Sequence, residues 1–130
     1  MPCLRFDDRG AEQQAPFPDT CPVFNDWRAL FAALWPARAA VVLLTRNKSR
    51  DIEALKELHA YAAAKQPDWC KAFQYLGMMG SARRIHEVQR PLSFSIEGVH
   101  APVGIEIGAE TPNEIAVSIC AALIRARTKN

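Results

Sequence analysis

The chain has 130 residues, 49% of them hydrophobic, with 16 Lys and Arg against 14 Asp and Glu and a formal net charge of +2. That length suits one domain with one core, and the composition is globular rather than disordered. The near-neutral balance gives no electrostatic case for nucleic acid, and no apolar run reaches the roughly 18 residues that a membrane helix needs.

Met1 to Arg9 carries Asp7 and Asp8 where a secretory signal would have its apolar stretch, so a cytoplasmic location is expected. Cys3, Cys21, Cys70 and Cys120 are scattered, with no Cys-x-x-Cys pair and no histidine at metal-ligand spacing. Reduced, mostly buried thiols are expected.

Leu4-Arg5-Phe6 reads as a short strand running into the turn Asp7-Asp8-Arg9-Gly10. The proline-containing stretch from Ala11 to Pro22 reads as a loop. Asn25 or Asp26 can cap a helix starting near Trp27, with Leu30, Phe31 and Leu34 on one face and Pro36 ending it. Ala39 to Thr45 is continuously apolar and β-branched, the pattern of a parallel strand covered on both faces.

A polar connection through Asn47 leads to a helix from about Asp51 to Lys65, with Ser49 as its expected cap and Ile52, Leu55, His59 and Ala62 on the inner face. Phe73 to Met79 is a second buried strand, followed by a helix from Ala82 to Gln89 with Ile85 and Val88 inward. Leu92, Phe94 and Ile96 alternate with polar residues and predict a half-exposed strand. Thr111-Pro112-Asn113-Glu114 forms a capping box that opens the last helix, whose inner stripe is predicted as Ile115, Ile119 and Leu123, flanked by Ala116 and Cys120. Strands alternating with helices predict an α/β domain with a mostly parallel sheet.

Ligands of such sheets sit beyond the carboxyl ends of the strands. Asp8 follows the first strand, and its carboxylate can accept from a ribose diol. Arg46, Lys48 and Arg50 surround Asn47 and would either attract an anion or form a solvated face. Gly80, Ser81, Arg83 and Arg84 follow the second buried strand. There a glycine turn, a hydroxyl, unpaired helix amides and guanidinium groups suit a phosphate or another oxyanion. The Gly-x-Gly-x-x-Gly dinucleotide fingerprint is absent, which argues against an NAD-dependent oxidoreductase. The scattered histidines form no nucleophile or zinc motif, and no enzyme is expected.

Tyr75-Leu-Gly-Met-Met-Gly-Ser-Ala-Arg-Arg84 resembles the Tyr-x-Gly-x-x-Gly-Ser-x-Arg segment of the XdhC/CoxI accessory proteins. The stretch from Val99 to Ile119 is similar to that family's closing His-x-Pro-x-Gly-x-x-Ile-Gly-x-x-Thr-Pro-x-Glu-Ile-Ala-x-Ser-Ile pattern. The resemblance implies a Rossmann-like three-layer domain and a role in loading or maturing the molybdenum cofactor of xanthine dehydrogenase-type hydroxylases. Measured against that family, the chain starts at what resembles strand two, so the first strand and its glycine-rich turn are expected to be missing, and Ala122 stands where the family carries a glutamate.

Residues and resemblance together lead to the expectation of a non-catalytic accessory module. Asp8, Gly80, Ser81, Arg83 and Arg84 would be its cofactor-binding residues, with molybdopterin or a nucleotide as candidate ligands. A homodimer or a partner chain would cover the open sheet edge, and a molybdenum hydroxylase would be the client. The alternative is a degenerate oligomeric interaction protein that binds no small molecule.

Overall fold

A computed structural model describes residues 3–9 and 21–128. They fall into two compact units, Met1–Ala37 and Arg38–Asn130.

In the first unit β1 (Arg5–Phe6) pairs in parallel with β2 (Val23–Phe24), Arg5 opposite Val23 and Phe6 opposite Phe24. Helix α1 (Trp27–Leu34) follows, capped by Asp26, whose side chain accepts from the Arg28 amide. Phe6 stacks on Trp27 with ring centroids 3.8 Å apart, Phe31 lies next to Trp27, and Leu30 is buried. These apolar contacts fasten the short ladder to its helix. The ladder alone, at two residues per strand, is too small to stand by itself.

In the second unit β3 (Ala40–Leu43) pairs in parallel with β4 (Tyr75–Met78), connected through α2 (Lys48–Ala63). All four residues of β4 are buried. Its free side is occupied by the segment around His100: the His100 amide donates to Leu76 O, the Met78 amide to His100 O and the Val103 amide to Met78 O. Close approach there requires Gly77, because a Cβ would fall 2.5 Å from Val103 Cγ2 and 2.7 Å from the Tyr75 ring. Among the described residues β3 has β4 as its one strand neighbour; Val41 and Val42 are half-buried and Leu44 is exposed.

Helix α2 begins three residues earlier than the sequence suggests. Asn47, not Ser49, is its cap, accepting from the Ser49 and Arg50 amides at 2.9 and 3.3 Å. Its buried stripe is Asp51, Ala54, Leu55, Leu58 and Ala62, which leaves Ile52 and His59 at the margin. His59 stacks on Phe94 with centroids 3.9 Å apart and meets Trp69 edge-on. The expected core position is thus an aromatic one.

The strand predicted over Leu92 to Ile96 does not form. The Gln89 side chain donates to Phe94 O and accepts from the Ile96 amide, both at 2.9 Å, and Trp69 Nε1 donates to Ser95 O. Side chains therefore satisfy the backbone groups that a ladder would have used. Helix α3 (Ala82–Gln89) buries Val88 and leaves Ile85 half-buried, and α4 (Pro112–Thr128) is 17 residues long. The α4 capping box forms as expected: the Glu114 amide donates to Thr111 Oγ1 at 3.2 Å, and Glu114 Oε1 accepts from the Glu110 amide. Its buried residues are Ser118 and Ala122, while Ala116 and Cys120 of the predicted stripe are exposed.

Candidate functional site

The carboxyl end of β4 passes through Met79 into Gly80, which has φ +141°, a backbone conformation that glycine adopts without strain. Ser81 then caps α3, its hydroxyl accepting from the Arg84 amide at 3.3 Å. The amides of Ala82 and Arg83, in the first turn, lie ahead of any intrahelical acceptor. The predicted turn-and-helix-start geometry is therefore present.

The two arginines diverge. Arg83 is exposed and its Nε donates to Glu87 Oε1 at 3.1 Å, while Lys48 Nζ lies 3.6 Å from Glu87 Oε2. The Arg83 guanidinium, aided by Lys48, holds the Glu87 carboxyl below its ordinary value. Glu87 and Lys48 also line an open groove of about 580 Å³ together with Ile52, Arg90 and Pro91.

Arg84 turns inward. Its Nη2 donates to Asp51 Oδ2 at 2.6 Å and to Thr45 O at 3.3 Å, and its Nη1 donates to Arg46 O at 3.0 Å. Asp51 is fully buried. Its other oxygen lies 3.0 Å from Thr45 Oγ1, which accepts from the Asn47 amide. One guanidinium thus ties the start of α3 to the β3–α2 connection, so most of Arg84 serves the fold. Among the described residues its buried Nε has no hydrogen-bond partner, and the Arg84 stem lies against Gly80, where a Cβ would come within 3.2 Å of Cγ. Sequence reasoning missed Asp51 as the organiser; its place on the inner stripe of an otherwise apolar helix face was the available signal.

Asp8 belongs to the first unit and is exposed. Its neighbour Asp7 accepts from Arg9 Nε at 2.9 Å, Nη2 at 2.7 Å and the Arg9 amide at 3.1 Å. Those bonds hold the Asp7 carboxyl down at about 2. Of the cationic loop, the Arg46 carbonyl accepts from Arg84 and the Lys48 ammonium lies beside Glu87.

The closing segment is interlocked with α4. Gly104 has φ +97°, and a Cβ there would overlap Ser118 Oγ. Ser118 Oγ donates to Ile105 O at 2.5 Å, the Ile105 amide returns a bond to Ser118 O, and the Gly104 amide donates to the Tyr75 hydroxyl at 3.0 Å. Tyr75 in turn stacks on His100 with centroids 4.5 Å apart.

The sequence pattern of the XdhC Rossmann domain matches residues 2–123. The chain belongs to the XdhC Rossmann-domain family. The XdhC match bears out the α/β Rossmann-like expectation. A crystal structure described as a xanthine dehydrogenase from Bacillus halodurans superimposes with a TM-score of 0.70 at 25% identity, covering 98% of this chain and 35% of that one. A probable xanthine dehydrogenase component of Bacillus subtilis (strain 168) is 46% identical over 57 residues, 42% of this chain and 16% of that protein. The uncharacterized protein YqeB of Escherichia coli (strain K12) is 36% identical over 93 residues, 67% of this chain and 15% of that protein. This XdhC domain thus matches less than a fifth of the length of either curated relative. Among the described residues no helix is long and apolar enough to cross a membrane.

Proposed function

We propose that this XdhC domain is a non-catalytic accessory or binding module for a xanthine dehydrogenase-type hydroxylase, acting in the maturation or insertion of its molybdenum cofactor. Its cargo is a phosphate-bearing ligand, molybdopterin or a nucleotide, held at the turn of Gly80 and Ser81. The observation that carries this reading is the buried Arg84 Nε, a donor without an acceptor among the described residues, on the side chain whose stem lies against Gly80. A buried donor left unpaired costs about 1–3 kcal/mol, and a helix start attracts anions. An oxyanion is the chemistry that answers both.

The ion pair with Asp51 gives the turn its rigidity, so little ordering cost remains for a ligand. Arg83, paired with Glu87, lies exposed at the rim. The family membership and the xanthine dehydrogenase names of two relatives support the choice of client. In the same reading a second copy of the chain, or a partner chain, lies along the side of β3 that pairs with no strand among the described residues. The exposed Leu44 and half-buried Val41 and Val42 favour such a cover. Sedimentation at micromolar concentration is expected to show an oligomer, and a stable monomer argues against self-association.

Thermal unfolding with molybdopterin, adenine nucleotides and inorganic phosphate tests the ligand. A saturable rise in Tm is expected, weakened in Arg83→Glu. No rise with any phosphate ligand overturns the reading. Arg84→Ala is unsuitable for this purpose because it also strips the buried Asp51 of its partner.

A further inference from the structure

We infer that Cys3 and Cys21 form a redox-responsive dithiol that closes to a disulfide under mild peroxide. Cys21 Sγ donates to Cys3 Sγ at 3.2 Å, although the two residues are 18 positions apart in the chain. Their proximity follows from the ladder. Arg5 lies opposite Val23 and Phe6 opposite Phe24, and the Arg5 amide donates to Pro22 O at 3.0 Å. Continuing that register two residues backward sets Cys3 opposite Cys21. Both then project on the same face, because side chains alternate with a period of two. Adjacent strands run about 4.8 Å apart, within the roughly 4.4–6.8 Å Cα separation that a disulfide accepts. A bond can therefore form without displacing the backbone.

The two thiols differ in exposure as a sensor pair does. Cys3 is exposed and Cys21 is buried, so a small oxidant meets Cys3 first. The bond to Cys3, with burial second, holds the Cys21 thiol above its ordinary value. The Cys3 thiolate attacks one peroxide oxygen, the O–O bond breaks, and hydroxide leaves a sulfenic acid on Cys3. Cys21 sulfur then attacks the Cys3 sulfur and expels the sulfenic oxygen as water, with the Cys21 proton ending in that water. The sum is two thiols and one hydrogen peroxide giving one disulfide and two waters. Among the described residues the thiol–thiol contact is that of Cys3 with Cys21. Cys70 is half-buried, and burial together with Asp68 pushes it up to about 11, while the exposed Cys120 is removed by substitution in the test.

The consequence is a covalent clamp at the head of the β1–β2 ladder, just ahead of Asp7 and Asp8. The full chain carrying Cys120→Ser is exposed to equimolar hydrogen peroxide, denatured, alkylated with iodoacetamide and mapped by mass spectrometry. The expected result is a species lighter by two hydrogens, a linked Cys3–Cys21 peptide pair, an alkylated Cys70, and an upward thermal shift that dithiothreitol reverses. Dimedone is expected to trap a sulfenic acid on Cys3 in Cys21→Ser. Recovery of Cys3 and Cys21 both alkylated in the oxidised protein, or a bond of either to Cys70 instead, overturns the inference. The peptide map of the parent chain decides the matter even if Cys21→Ser fails to fold.

Discussion

Arg84 reaches from the start of α3 to the fully buried carboxylate of Asp51, 2.6 Å away, and so joins the connections that follow β3 and β4. The pair lies at the carboxyl ends of the strands, where α/β sheets bind their ligands. Its geometry is multidentate on both sides, since Arg84 also reaches the carbonyls of Thr45 and Arg46 and Asp51 meets the Thr45 hydroxyl.

Breaking this pair from one side leaves a buried charge without its partner. Arg84→Ala is expected to cost about 3–5 kcal/mol, read as a lower denaturant midpoint with an unchanged slope. Asp51→Asn retains the shape and two polar atoms, so its loss is smaller. The double variant falls short of the sum of the singles, because both remove one interaction.

Gly104 faces Ser118 with no room for a Cβ and with a positive φ. Gly104→Ala should destabilise by roughly 2–3 kcal/mol from overpacking and backbone strain. Ser118→Ala leaves the Ile105 carbonyl without its hydroxyl donor, at about 1–3 kcal/mol. Equilibrium unfolding of both singles and the pair checks this, and the pair is again expected to be less than additive because Ser118→Ala removes the atom that the new Cβ strikes.

The acid limb of stability carries the Asp7–Arg9 contact. The Arg9 guanidinium holds the Asp7 carboxyl at about 2, below the ordinary aspartate range. A depressed folded-state value means that its contribution is fully present above about pH 4 and is lost as pH falls toward about 2. NMR titration of the Asp7 carboxyl should show that low midpoint, and Arg9→Gln should return it toward the ordinary range.

Thiol reactivity separates the cysteines. Burial holds Cys70 at about 11, so at about pH 8 its thiolate fraction is small and reaction with a disulfide reagent is slow. Cys120 is exposed and should react first among the thiols of the second unit. The order reverses only if that unit opens.

Much of this was legible in the residues. The strands Arg5–Phe6, Ala40–Leu43 and Tyr75–Met78 sit inside predicted segments, and the Ser81 and Thr111 caps are local chemistry that a sequence states directly. The Leu92 to Ile96 alternation misled because Gln89 and Trp69 satisfy its backbone from elsewhere in the chain. Likewise, exposure of Cys3 and Cys120 departs from the mostly buried thiols expected, since that expectation rests on residue type alone. At the candidate site, Gly80 and Ser81 take their expected places. The Arg84 assignment needed the structure, because its partner Asp51 is 33 residues away.

The resembled motifs also acquire physical content. Gly77 admits the His100 segment, Tyr75 accepts from Gly104, Gly104 makes way for Ser118, and Thr111 with Glu114 starts α4. Most of these residues hold the fold together. That concentrates the binding hypothesis on the few atoms of the Gly80 turn left without such a duty.

The proposed function requires this turn to take a phosphate-bearing ligand. The most direct measurement is an amide ¹⁵N–¹H titration of the full chain with molybdopterin and with an adenine nucleotide. Saturable shifts concentrated at Gly80, Ser81, Ala82 and Arg83, with the Arg84 Nε resonance moving alongside them, are the predicted result. Unmoved resonances at those positions at saturating ligand would contradict it.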